Sequence, residues 1–440
     1  MDQNQKKSDE ILFDDLVPLP FRILFLVQLG VFFWYYLVYS CYNLRKLNIL
    51  HLIKLSYSAH DYSQLDDHYI PNGEFATTLV PDFNSNLILA NGIWANLRPV
   101  TIVNVIGWAV FKIIQRKVSL NDDVSPAIFI PLSYVIPLAL FFHLFYRLFY
   151  KSKVQNSMGQ YRAFTTMKRI LLGKINSSTM RTNDILISDS LVSYSKVLND
   201  FGLYLWNYYY ARDIPYSVEL EFILLCIPTF IRMKQCYSEY RSTANRQHLF
   251  NFIKYSTTLG PLFVNLLIKS IITSPGKDLN EPAFLDKLQS LNRWWYLLSF
   301  VNSTYSFIWD VKMDWGLKMF DFLFESKTYY FKMVLLRPKL AFEPVVYFAV
   351  ILFDFIVRFV WILKVFIVKE GQDQVKWTTL HMLSTFLFGY DAFSFGYTVI
   401  EFLEILRRWA WCFIKLDSDW ATLEQATGND IELVNTSKLG

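Results

Sequence analysis

Apolar residues in this chain gather into runs of about 20, the length an α-helix needs to cross a hydrocarbon core. Nine such runs are candidate spans, near 20–42, 97–115, 125–149, 184–208, 217–236, 248–273, 285–309, 342–368 and 378–413. The second is weak. The fourth, "DILISDSLVSYSKVLNDFGLYLW", is polar for a span and must face protein or a cavity. Pro131 and Pro137 fall inside the third and predict a kink there. No internal repeat, heptad or low-complexity tract interrupts the pattern. The fold class expected is therefore all-α, a polytopic transmembrane helical bundle of about eight to ten spans. A short polar segment (1–19) precedes it, the membrane domain covers 20–415, and a polar tail (416–440) is expected to be poorly ordered.

Composition sharpens this picture. The chain is 53% hydrophobic, above the ~45–50% of soluble domains. A net charge of +5 is modest, and the basic residues cluster in particular loops, which argues against nucleic acid and for membrane orientation. Lysines and arginines are dense between spans three and four (Lys151 to Arg181), around Arg232, Lys234, Arg241 and Arg246, and between spans seven and eight (Lys318 to Lys339). The positive-inside rule then puts the C-terminus in the cytosol and the N-terminus on the far side. The start, "MDQNQKKSDEILFDD", has no basic flank or cleavage site, so the first run is expected to be a retained helix. Cys41, Cys226, Cys236 and Cys412 lie in apolar runs without paired or metal spacing and are expected to pack. Six scattered histidines give no ligand spacing, so neither metal nor cofactor is expected.

The informative residues are charges inside the spans. Asp189 and Lys196 lie in span four, Lys254 and Tyr255 in span six, Asp310 at the end of span seven, and Asp354 and Arg358 in span eight. Glu401, Glu404, Arg407 and Arg408 lie in the last. A charge at mid-membrane costs about 2.5–3.5 kcal/mol even on the lenient insertion scale. Two readings stand side by side. Asp354 with Arg358, and Glu404 with Arg408, are spaced i,i+4 and share a helical face, so they can be charge partners that lock helices together. Alternatively, basic groups converging from separate helices form a cage for an anion, with arginine forks suited to an oxyanion.

Several motifs make the second reading specific. "CIPTFIRMKQCYSEYR" (226–241), "KYSTT" (254–258), "IWDVKMDWG" (308–316), "RFVW" (358–361) and "LEILRRWAW" (403–411) occur in order, with "PLSYVIPLAL" (131–140) and "DILISDSL" (184–191) upstream. Together they resemble the EXS domain of eukaryotic phosphate exporters, over about residues 20–420. The resemblance implies a phosphate site made of Asp189, Lys254, Tyr255, Asp310, Arg358, Arg407 and Arg408, with Trp361 beside the path as a gate. Two departures stand out. Val192 occupies a position where the exporters carry asparagine, although Ser190 and Ser193 are near. The last helix continues Lys415, Leu416, Asp417, Ser418, Asp419 in place of Arg-Leu-Glu-x-Glu. So few residues precede the first span that the lysine-rich SPX sensor of larger members is expected to be absent. The chain then resembles the short fungal branch, associated with the Golgi, recycling of luminal phosphate, glycosylation and retention of resident proteins.

Three functional classes follow. The first is a phosphate carrier or channel from Golgi lumen to cytosol, with inorganic phosphate and the lipid bilayer as its partners. The second is a membrane scaffold recruiting a coat adaptor for Golgi glycosyltransferases, which would act through the tail or loops and leave the buried arginines structural. A homodimer is left open in both. The third is a multispan glycosyltransferase, resting on the D-x-D triplet "DSD" (417–419) and on "LDDHY" (65–69). Such triplets are frequent by chance, and both lie on the expected cytosolic side, so no enzyme activity is expected. The sequons at Asn176, Asn302 and Asn435 are expected to be unmodified, and His143 is expected to pack rather than relay protons.

Overall fold

The computed structural model describes residues 13–45, 47–49, 52, 84–120, 126–150, 158–175, 181–210, 214–274, 282–321, 335–368, 379–388 and 393–437. The acidic segment "LDDHY" and the sequon at Asn176 lie outside the described residues.

All regular structure among the described residues is helical. The helices are α1 (Leu19–Leu44), α2 (Asn84–Leu120), α3 (Pro126–Phe149), α4 (Met158–Leu171), α5 (Arg181–Ser193), α6 (Ser195–Tyr209) and α7 (Val218–Thr243). They continue as α8 (Arg246–Thr273), α9 (Pro282–Trp309), α10 (Pro344–Phe359), α11 (Val365–Val368), α12 (Thr379–Phe388) and α13 (Phe395–Ser437). A π-helical turn, Asp310–Asp314, follows α9, and a 3₁₀ segment, Val360–Lys364, joins α10 to α11. Among the described residues, four stretches are long and apolar enough to cross a membrane: Leu19–Leu44, Asn86–Lys117, Arg246–Thr273 and Pro344–Lys364. Their outer faces carry exposed large side chains such as Phe32, Ile102, Ile106, Phe263 and Leu352. Such a patch is too extensive for a surface in water and fits contact with lipid.

Local chemistry sets the ends. Ser217 caps α7 by accepting a hydrogen bond from Leu220 N at 3.2 Å, and Glu219 and Glu221 favour the positive end of the helix. Asn245 caps α8 in the same way, accepting from Gln247 N at 2.9 Å. Only Ala244, in the left-handed region at φ 54°, stands between the end of α7 and that cap. This tight turn packs α7 antiparallel to α8, which in turn packs on α9. α13 is central and touches α1, α5, α10 and α12. One core gathers Leu37, Trp315, Tyr347 and Trp411; a second gathers Phe21, Leu24, Phe111, Leu144 and Tyr204.

The all-α membrane bundle expected from the hydrophobic pattern is what the chain forms, with differences in detail. The second span, weak in the sequence, belongs to a 37-residue helix. The fourth is not one helix: the backbone breaks at Tyr194 (φ −91°, ψ 8°) between α5 and α6. The Tyr194 hydroxyl donates to Leu26 O at 3.0 Å, pinning the break to α1. Gly30 makes room for it, because a Cβ there would lie 1.9 Å from that hydroxyl. The last span is also divided, into α12 and α13. Instead of ending near 415, α13 runs on to Ser437. Asp417 holds its first extra turn. Buried completely, Asp417 pairs with Arg337 and accepts from Tyr347 Oη at 2.5 Å and Ala341 N at 3.1 Å. The D-x-D triplet is thus a packing anchor on one side.

Candidate functional site

The site is built where the regular helices give way. The break at Tyr194 ends α5 just past Asp189 and Ser193. The π-helical turn brings Asp310 and Asp314 to the end of α9, with Trp315 N bonding Asp310 O at 2.9 Å. α10 supplies Asp354 and Arg358 immediately before its 3₁₀ segment, and α13 crosses them all with Glu404, Arg407 and Arg408. π-turns and broken helices leave backbone out of register and often mark functional positions.

Asp310, fully buried, is one hub. It pairs with Arg358, lies 3.7 Å from Lys254 Nζ and lies 3.8 Å from Arg407. Asp354 is a second, accepting from Arg358 Nε and Arg407 Nη1, both at 2.9 Å. Glu404 takes the fork of Arg407 at 3.0 and 2.5 Å and accepts from Ser193 Oγ at 2.9 Å. Lys254 is loosely held: its carboxylate contacts, Asp310 and Asp314, stand at 3.7 and 3.8 Å, and the rings of Tyr255 and Trp309 flank it.

All seven residues expected for a binding site, Asp189, Lys254, Tyr255, Asp310, Arg358, Arg407 and Arg408, are brought into this one network. The i,i+4 pairing expected for Asp354 and Arg358 forms. Arg408, by contrast, does not pair with Glu404, which is occupied by Arg407 one residue earlier. Instead, Arg408 Nε bonds Ser193 Oγ at 3.1 Å and its guanidinium lies 4.8 Å from the Trp411 ring centroid. Only 8% exposed, it makes no direct ion pair among the described residues. Its charge faces Asp189, Asp310 and Glu404 at longer range. Ser193 therefore supplies polar contacts beside Val192, where an asparagine was missing.

Two participants, Arg232 and Asp314, escape the sequence reading. Arg232 on α7 falls at the end of span five, where a charge reads as part of the loop. It is 2% exposed, lies 2.7 Å from Asp189, bonds Tyr255 Oη at 3.2 Å and bonds Gln235 at 2.7 Å. The signal was available, since Thr229, Arg232, Gln235, Cys236 and Glu239 recur at helical spacing and are buried on one face. Tyr255 also donates to Asp189, at 2.5 Å, so its hydroxyl is committed within the site. Asp314, 3.8 Å from Lys254, is the second. Lys196, counted among the span charges, lies on the far side of the break in a separate group with Arg22, Asp200 and Glu401. Trp361 follows Arg358 by one turn; its indole donates to Ser303 Oγ at 2.9 Å, and it packs on Trp295 and Tyr296.

Five cations (Arg232, Lys254, Arg358, Arg407, Arg408) thus face five acids (Asp189, Asp310, Asp314, Asp354, Glu404). The acids are shared between cations rather than assigned one to one. A shallow depression lined by Arg181, Thr182, Ile185, Leu186, Lys415 and Asp419 lies one turn from Asp189 along α5 and two turns from Arg408 along α13.

The model of the EXS family matches residues 17–421. The chain belongs to the EXS family. Among relatives, it is 30% identical over 253 residues to Protein ERD1 of Saccharomyces cerevisiae, covering 58% of this chain and 59% of that protein. It is 26% identical over 399 residues to Protein ERD1 of Kluyveromyces lactis, covering 84% and 90%. Solute carrier family 53 member 1 of Mus musculus matches at 26% over 315 residues, 67% of this EXS chain and 40% of the mouse protein.

Proposed function

We propose that this EXS protein carries inorganic phosphate through the membrane from the Golgi lumen to the cytosol, in support of glycosylation and retention of resident proteins. Its N-terminus would be luminal and its C-terminus cytosolic. The observation that carries the reading is Arg408: a buried guanidinium with a serine and an indole for company and, among the described residues, no carboxylate in contact. A cation in that state is an incomplete anion site. Phosphate docking there would add charge-assisted hydrogen bonds, then compete with Glu404 and Asp354 for the Arg407 fork and draw in the loosely held Lys254. Asp189 and Arg232 would hold Tyr255 in place. Because the acids balance the cations, they also keep phosphate from binding too tightly to leave. Trp361, beside Arg358, is the proposed gate.

The test is phosphate flux into proteoliposomes, with sulfate and nucleotide monophosphates compared. Arg408→Ala is expected to lower phosphate flux on the order of 10- to 100-fold, the worth of one charged hydrogen bond. Flux at the wild-type rate in folded Arg408→Ala would sink the assignment.

A further inference from the structure

A second buried charge cluster sits one helical turn from the first and takes no part in it. Arg22 (α1), Asp200 (α6) and Glu401 (α13) are each at most 2% exposed. Arg22 pairs with Asp200 and lies 3.6 Å from Glu401. Tyr397 covers the group, its hydroxyl 3.5 Å from Asp200, and Glu221 on α7 reaches Tyr397 at longer range while held by Lys269 at 2.6 Å. Neither carboxyl oxygen of Glu401 accepts a hydrogen bond from any donor among the described residues. What Glu401 does meet within hydrogen-bonding reach is the carboxyl of Asp200. Two carboxylates out of water repel each other, and Arg22 offsets that only in part because it pairs with Asp200 and stands back from Glu401; a proton between the two carboxyls relieves the rest. A shared proton also gives a partner to one of the two Glu401 oxygens that no donor reaches.

This cluster is linked to the first by Lys196. Its ammonium is 5.3 Å from the Tyr397 ring centroid and is in contact with no carboxylate among the described residues. Glu401, Glu404 and Asp200 all lie within its electrostatic reach. Glu404 is the residue that occupies the fork of Arg407. Lys196 therefore stands between the acid with the shared proton and the acid that competes with phosphate.

We propose that Glu401 and Asp200 form a proton-binding site that sets phosphate affinity in the neighbouring cage through Lys196 and Glu404. This rests on the transport reading above. With the proton bound, Lys196 turns its charge to Glu404 and loosens its hold on Arg407, which opens to phosphate. With the proton lost to solvent, the second carboxylate draws Lys196 away, and Glu404 closes on Arg407 again. Charge balance favours the same direction. The cage is neutral with all its groups ionised, so an arriving phosphate leaves it negative, and a proton taken up nearby offsets that charge. Proton and phosphate thus assist each other, and linkage makes the effect equal in both directions.

The experiment measures phosphate affinity and initial flux in proteoliposomes across a pH series, with a trapped pH dye counting protons. Phosphate titrates by itself, so wild type is compared with Glu401→Gln, in which that contribution cancels. Relative to Glu401→Gln, wild-type affinity is expected to fall by up to about tenfold per pH unit as the shared proton is lost, and the variant to move one proton fewer per phosphate. Asp200→Asn removes the same proton and is read in the same way if Glu401→Gln fails to fold. Superimposable pH profiles and proton counts in wild type and variant, with phosphate flux intact, overturn the coupling and leave the transport reading standing. Wild-type protein that moves no phosphate overturns both.

Discussion

Arg407 and Arg408 are neighbours in sequence with opposite environments. Arg407 is held by Glu404 and Asp354; Arg408 meets a serine and an indole. Substitutions should separate them. Asp354→Asn leaves Arg358 and Arg407 short of a shared counter-charge deep in the bundle, and losing one partner of such a network costs about 3–5 kcal/mol. A lowered unfolding temperature in detergent, larger than for Arg408→Ala, is the expected result; equal stability would show that Asp354 carries no shared charge. Ser193→Ala removes a contact to both Arg408 and Glu404 and is expected to weaken phosphate binding without the loss of fold that Asp354→Asn brings, as read by binding and thermal unfolding together. Much of this site was legible in the sequence because a charge amid leucine and phenylalanine is conspicuous. Arg232 and Arg22 were not: each sits at the end of an apolar run, where a charge reads as a loop or interfacial residue. Only tertiary packing buries them.

Among elements, the breaks do the positioning. Tyr194 interrupts what hydropathy presents as one span, and no proline or glycine at that position announces it. Its cause is distant in sequence, a tyrosine hydroxyl bonded to Leu26 O across the narrow space left by Gly30. Gly30→Ala is expected to destabilise the protein by about 1–3 kcal/mol through overpacking. Tyr194→Phe in the same chain removes the clashing oxygen and should restore part of the loss; a double variant no more stable than Gly30→Ala would reject this account. The π-helical turn at Asp310–Asp314 was equally hidden. A turn with one extra residue leaves apolar spacing almost unchanged, yet Asp310 and Asp314, the two carboxylates nearest Lys254, lie at its two ends. Hydropathy shows where a helix can lie, and not where another element has bent it.

For the whole molecule, the sequence pattern predicts the class of fold well, since spans of this length leave few alternatives in lipid. It predicts the end of the bundle poorly. At about 1.5 Å per residue, the 43 residues of α13 reach well beyond a hydrocarbon core of about 30 Å. What keeps the first turns past 415 in place is Asp417, hidden by Arg337 and Tyr347, in a stretch whose polarity reads as tail. Asp417→Asn is expected to lower stability by about 3–5 kcal/mol, with Tyr347→Phe milder, as measured by thermal unfolding. That anchor constrains how the proposed carrier role and the alternative scaffold role can be pulled apart by deletion. Shortening the chain to a point before residue 417 takes away not a loose appendage but the clamp on the same rod that presents Arg407 and Arg408, so a failure of retention after such a cut would not implicate a recruited coat. A clean dissection has to leave the clamp intact and begin beyond it.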